Sequence, residues 1–185
     1  MKIILLLEPP FCSMSLDIED VFSVKKYSYL SLSDLFMAEM GGGSAIFKEV
    51  KSQESSDPQF VFKAIVEKYL QKTPKNFPSG FVLDPDFIND REELILLLEL
   101  LKKMGHQISY VIDIQESEEI CKEYIDDFQV DREEGVAEIR NYFDEFYPQV
   151  IEIINQWQIP TIKVAHQDES KPIIKEILQK IEQID

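Results

Sequence analysis

Short unbroken apolar runs, each bounded by turn residues, recur along the chain. The first reads Lys-Ile-Ile-Leu-Leu-Leu over residues 2–7, bounded by Glu8-Pro9-Pro10. A run without polar alternation suits a strand buried on both faces of a parallel sheet. Similar runs lie at Tyr27–Ser31, Gly80–Asp84, 108–114 and 160–164. Between them apolar residues return at helical spacing, over 92–104, 116–127, 133–157 and 170–184. The first of these helices meets Gly105, a residue suited to a helix C-terminus. Another opens at Asp57-Pro58, with Asp as cap and Pro at the first helical position, and runs over 60–69. Strands alternating with helices predict a three-layer α/β/α domain around a parallel sheet of about five strands. Residues 33–72 carry helix signals only and read as a helical insertion. No repeat or linker divides the chain, so residues 1–185 are expected to form a single domain.

Composition narrows the function. Of 185 residues, 44% are hydrophobic and 11% aromatic, which excludes wholesale disorder. The 19 Lys and Arg stand against 35 Asp and Glu, a formal charge of −16. Such a chain is repelled by phosphate backbones and anionic lipid, so neither nucleic acid nor a membrane surface is an expected partner. Arg91, Arg132 and Arg140 are its only arginines, leaving bidentate phosphate clamps scarce. Cys12 and Cys121 form neither a disulfide framework nor a zinc spacing, as in a reducing compartment. No run approaches a membrane span, and the N-terminus reads as a strand rather than a signal peptide. A soluble, cytoplasmic domain is expected.

The loop after the first strand is where phosphate chemistry would sit. A phosphate loop needs glycines, whose backbone amides curl around the anion, a lysine, and a Ser or Thr for Mg²⁺. Here the loop reads Glu8-Pro9-Pro10-Phe11-Cys12-Ser13-Met14-Ser15-Leu16, with no glycine, no lysine and an acid at its mouth. On residues alone it is a strand-to-helix turn.

Over almost its whole length, however, the chain resembles the adenylate kinase (nucleoside monophosphate kinase) family, most closely the short-lid cytosolic type. Residues 2–16 align without gaps on that family's strand and P-loop, Pro10 matching the loop proline. Residues 27–45 follow its YxxLSTGDLLRxEVxxGSx segment, and Gly80–Asp84 its GFLLDGFPR motif up to the aspartate. Val130-Asp131, Arg140, Val150-Ile151 and residues 159–164 fit the tail of the pattern. The resemblance implies a P-loop NTPase-type fold with the first strand central. It makes residues 33–72 the counterpart of the nucleoside-monophosphate-binding insertion and residues 126–133 a short lid remnant.

By the same alignment most phosphate-binding residues are replaced. Met14 stands for the loop lysine and Leu16 for the magnesium-side hydroxyl, while the loop glycines fall on Glu8, Phe11, Ser13 and Ser15. Leu32, Ser33 and Met37 replace the threonine, glycine and arginine of the monophosphate pocket; Pro85 and Ile88 follow Asp84 where glycine and arginine are expected. The lid arginines fall on or near Glu123 and Asp127. Asp34, Asp84 and Arg140 are retained as vestigial positions. Phosphoryl transfer depends on positive charge gathered around the transferring group. The expectation is therefore an inactive adenylate-kinase-like domain without cofactor, metal or catalytic residues, in which ATP and AMP binding is not expected. It would serve as a structural or protein-interaction module with a protein partner. Because adenylate-kinase-like domains recur in ciliary axonemes, the resemblance offers a cytoskeletal or ciliary home. The alternatives are a nucleotide sensor without transfer and, third, an active kinase.

Other constellations read more simply as structure. Gly41-Gly42-Gly43-Ser44 follows helix signals and reads as a turn. His106 and His166 have no third partner nearby. Cys12 reads as an inert buried thiol, Asp126-Asp127…Asp131 with Glu133-Glu134 as a solvated acidic lid rather than a Ca²⁺ loop, and Trp157 as core. Phe11, Met14 and Leu16 put apolar groups where phosphates would lie: either the cleft has closed on itself, or an apolar surface faces a partner.

Overall fold

A computed structural model of the chain describes residues 2–12, 27–41, 63–64, 66–67, 80–85, 88, 90–165 and 179. Five parallel strands form one sheet: β1 (Lys2–Leu7), β2 (Tyr27–Ser31), β3 (Gly80–Asp84), β4 (Ile108–Gln115) and β5 (Thr161–Ala165), in the order β2-β3-β1-β4-β5. Helices among the described residues include α1 (Leu32–Gly41), α2 (Arg91–Lys103), α3 (Glu118–Tyr124), α4 (Arg132–Asn141) and α5 (Tyr147–Gln156). This α/β architecture is consistent with a P-loop kinase-like fold.

β1 is central because it is apolar on both sides. Ile3, Leu5 and Leu7 join Phe81, Leu83 and the apolar stripes of α2 and α5 in one cluster. Ile4 and Leu6 pack on the opposite face with Val82, Tyr110, Ile112 and Val164. All five residues from Ile3 to Leu7 are at most 2% exposed. The two-residue side-chain period thus feeds two cores from one strand.

Helix ends follow the local chemistry. Asp90 accepts a bond from the Glu93 amide at 2.9 Å to cap α2, and Gly105 at φ 78° ends it, with the His106 amide donating to the Leu101 carbonyl at 2.8 Å. Ser31 caps α1 by accepting from the Asp34 amide. The helix expected over 116–127 is shorter: α3 ends at Tyr124 and tightens into a 3₁₀ turn, Ile125–Phe128. The stretch expected as one helix over 133–157 begins at Arg132 and widens into a π-turn at Tyr142–Phe146, where the Tyr147 amide donates to the Tyr142 carbonyl. Pro148 supplies the reason. It has no N–H, and its ring would collide with the carbonyl of Asp144 in a regular α-helix.

Trp157 corrects an expectation. It is the C-cap of α5, 38% exposed rather than core, with Lys102 Nζ 5.6 Å from its ring centre. The next residue, Gln158, turns left-handed (φ 55°), which swings the chain toward β5 and leaves the indole at the surface. Residues 63–64 and 66–67 are helical, as read for 60–69; the rest of that helix, Gly42-Gly43-Ser44, His166 and all but Gln179 of the helix read at 170–184 lie outside the described residues. Among the described residues no helix is long and apolar enough to cross a membrane.

Candidate functional site

Parallel sheets present ligand sites at the carboxyl ends of their strands. There a cavity of about 180 Å³ opens beyond β1 and β3. Leu7, Glu8, Pro9, Pro10 and Phe11 form one wall, Asp84, Pro85 and Ile88 a second, and Glu138, Asn141, Tyr142 and Phe146 the third. Its volume falls below the roughly 300–1,000 Å³ of common ligand pockets. A larger cavity, about 670 Å³, lies at the other end of the sheet beside His106, Trp157 and Pro160, away from the strand ends that position ligands in this architecture.

The structure brings some of the candidate residues together here. Glu8, Pro10, Phe11, Asp84, Pro85 and Ile88 all line the cavity. Asp84 is 4% exposed and accepts a hydrogen bond from the Tyr29 hydroxyl. The other candidates sit elsewhere. Asp34 is exposed in the first turn of α1, and Met37 is 68% exposed. Glu123, Asp127 and Arg140 are exposed and do not line the cavity. Met14 and Leu16, with Ser13 and Ser15, lie outside the described residues.

Phe11 has a particular backbone. Its φ is 58°, the left-handed region that disfavours a bulky side chain, at the position where the family resemblance has a glycine. Its ring is buried with Cys121, Ile125 and Ile139 and meets Phe128 edge-on at 5.5 Å. At Phe11 the backbone is left-handed and seats the ring against the 3₁₀ turn.

The acidic stretch after α3 is occupied by local contacts. Arg132 holds Asp126 through both carboxylate oxygens at 3.0 and 3.1 Å, and Asp131 caps α4 by accepting from the amides of Glu133 and Glu134. No cluster able to hold a metal ion occurs among the described residues. Arg91 is turned toward Glu152 at 3.7 Å. Thus none of the three arginines of the chain lines the cavity. Cys12 and Cys121 are both fully buried, and burial pushes the Cys121 thiol up to about 12.

A polar cluster that sequence reasoning missed lies beside the cavity. Asp113, in β4 opposite Leu7 of β1, is 0% exposed. Its Oδ2 accepts from the Tyr147 hydroxyl at 2.8 Å and from Gln115 Nε2 at 3.1 Å, with Lys163 Nζ 3.9 Å away. Its Oδ1 has no hydrogen-bond partner, nor has the hydroxyl of Tyr142, among the described residues. Burial holds the Tyr142 hydroxyl well above its usual range, and the charges of Asp113, Tyr147, Glu8 and Cys12 add to this. The one sequence signal was a carboxylate inside an otherwise apolar strand.

Asp113 gives a pH test. Desolvation raises its carboxyl above the ordinary value of 3.8, outweighing the Tyr147 hydrogen bond, the Lys163 charge and the Gln115 hydrogen bond, which lower it. The folded chain therefore binds this proton more tightly than the unfolded one. Its contribution to stability is present at low pH and is lost as pH rises from the unfolded value through the folded one. Asp113→Asn, which keeps an acceptor for Tyr147, should match or exceed the parent in urea unfolding at neutral pH, and the parent should gain on it toward about pH 4. A loss of about 1–3 kcal/mol in the variant at neutral pH would show instead that the cluster needs the ionised carboxylate.

No family model matches the chain. The chain is 29% identical over 159 residues to an adenylate kinase of Corynebacterium diphtheriae, with 77% of this chain and 86% of that protein covered. Together with the five-stranded parallel sheet and its central β1, this similarity supports an adenylate-kinase-like family for the chain.

Proposed function

We propose that the chain is an adenylate-kinase-like domain that does not transfer phosphate and acts as an interaction module within a larger assembly. The observation that carries this reading is the charge of the cavity at the ends of β1 and β3. Glu8, Asp84 and Glu138 contribute carboxylates, and no Lys or Arg occurs among its described lining residues. Catalysis of phosphoryl transfer rests on positive charge around the transferring group; one arginine finger alone is worth about 10³–10⁵ in rate. Two nucleotides brought to this cavity would add negative charge to negative charge. A cytoskeletal or ciliary setting is part of the proposal and rests on the family resemblance.

The test uses the full chain. A coupled assay of ADP formation from ATP and AMP at high protein concentration is expected to show no turnover above background. Titration calorimetry with ATP, ADP and AMP is expected to show no micromolar binding. Turnover near an ordinary kinase rate of about 1–100 s⁻¹ would overturn the proposal; micromolar ATP binding without turnover would favour a nucleotide sensor.

A further inference from the structure

We propose that the cavity at the amino ends of β4 and β5 binds a small aromatic carboxylate. At about 670 Å³ it is the larger of the two cavities described above. That volume falls within the roughly 300–1,000 Å³ of common ligand pockets. β4 begins at Ile108 and β5 at Thr161, so this cavity lies at the opposite end of the sheet from Glu8 and Asp84. Its occupancy is independent of whether a nucleotide binds beyond β1 and β3.

The lining divides into an apolar bed and a set of donors. Leu98, Leu101, Ile108 and Ile159 supply the bed, and the first three are at most 5% exposed. Trp157 stands beside them in the lining, and it is one of three large hydrophobic residues that are exposed among the described residues. The left-handed turn at Gln158 keeps its indole out of the core and at the cavity. An aromatic side chain left exposed beside a cavity is surface that a planar ring can cover.

Charge selects the other end of the ligand. The chain has 35 Asp and Glu against 19 Lys and Arg, yet no carboxylate occurs among the described lining residues. Lys102 is in the lining, its Nζ 5.6 Å from the Trp157 ring centre. Lys103 reaches Glu67 at 4.0 Å, whereas Lys102 forms no ion pair among the described residues. His106 and Ser109 bring further donors. The C-terminus of α2 would oppose an anion if its carbonyls were bare. They are occupied: those of Leu100, Lys102 and Leu101 accept from the amides of Met104, Gly105 and His106 at 3.0, 3.0 and 2.8 Å. A carboxylate brings the acceptors and the charge that Lys102 calls for, and an attached ring brings the apolar area that the bed and the indole can cover.

Trp157 is the only tryptophan of the chain, so its indole N–H gives one side-chain signal at the site itself. The ¹⁵N-labelled full chain is titrated with 2-naphthoate, and with 2-naphthylmethanol, 2-naphthylmethylammonium and hexanoate as controls. The naphthoate should shift the indole signal and the His106 amide saturably, with half-saturation at about 1 mM or below. It should bind at least about tenfold more tightly than each control. Lys102→Met, at an exposed position, should bring naphthoate down to the affinity of the alcohol and leave the alcohol unchanged. Lys103→Met, next in the chain but outside the lining, should leave both affinities as they are. The proposal is overturned if naphthoate does not saturate, or if the alcohol, the ammonium or hexanoate binds as well. It is overturned equally if Lys102→Met leaves naphthoate binding unchanged, or if Lys103→Met weakens it as much.

Discussion

Building a phosphate loop after β1 is expected to give weak ATP binding without phosphoryl transfer to AMP, on the function proposed above. The change comprises Met14→Lys and Leu16→Thr, with glycines at positions 8, 11, 13 and 15. Lysine and backbone amides supply a phosphate cradle, and Glu8→Gly removes one carboxylate from the cavity. The opposing wall is untouched. Asp84 and Glu138 remain, Ile88 and Met37 supply no charge, and Glu123 and Asp127 are exposed acids. On the proposed reading several clamps are absent together, and each would withhold about 3–4 kcal/mol from the transition state. Turnover should therefore stay at least about 10³-fold below an ordinary kinase rate of roughly 1–100 s⁻¹. A rate within that range would mean that Arg132 or Arg140 reaches the reacting groups.

The same experiment carries a cost in stability that the structure makes visible. Phe11→Gly relieves a left-handed backbone strain of about 1–2 kcal/mol. It also empties the site between Cys121, Ile125 and Ile139, and truncating a buried Phe costs about 3–5 kcal/mol. A repaired loop that retains Phe11 should thus melt higher than one with all four glycines. Phe11 thus sits on a backbone whose shape a glycine would adopt without strain.

Much of the fold was legible because doubly buried strands write themselves as uninterrupted apolar runs. β1, β2 and β3 have the bounds read from Lys2–Leu7, Tyr27–Ser31 and Gly80–Asp84, and β4 and β5 differ by one residue at their ends. Punctuation helped, since Pro9-Pro10 and Gly105 end elements by removing a donor or adopting positive φ. Helical detail was harder. Ile139, Tyr142, Phe146, Val150 and Ile153 keep a helical spacing through the π-turn, so the inserted residue leaves no mark on the pattern. Trp157 was misread because periodicity does not show where a helix runs out of sheet to cover.

The site was legible in part. The charges around the loop could be read from Glu8 and Asp84 once their alignment was recognised. Glu138 could not, because only folding brings α4 over the end of β3. Asp113 and Tyr147 are 34 residues apart, and no local pattern joins them. A carboxylate between Ile112 and Ile114 signals that some partner must exist, since a buried charge is costly alone, but not which residue supplies it.

Gly80→Ala is expected to be the most damaging single methyl addition among the described glycines. Gly80 has φ 136°, and a Cβ built there would lie 2.2 Å from the Lys2 carbonyl oxygen and 3.0 Å from its carbon. Those atoms are backbone in the central strand, so no rotamer change relieves the contact. β3 lies between β1 and β2, with Gly80 paired to Lys2 on one side and Tyr27 on the other. Moving it apart disturbs both registers, and a one-residue slip would turn every buried side chain of β3 to the wrong face. Backbone strain of about 1–3 kcal/mol adds to the clash, for a loss of about 3 kcal/mol or more. For a chain of this size that lowers the melting temperature by about 6–12 °C. Gly105→Ala separates the two causes. It too has positive φ, 78°, but nothing lies within 4 Å of a Cβ there, so only strain of about 1 kcal/mol is expected. Thermal melts of both variants decide the matter: a Gly80→Ala shift no larger than that of Gly105→Ala would mean that β1 and β3 part more easily than their packing implies.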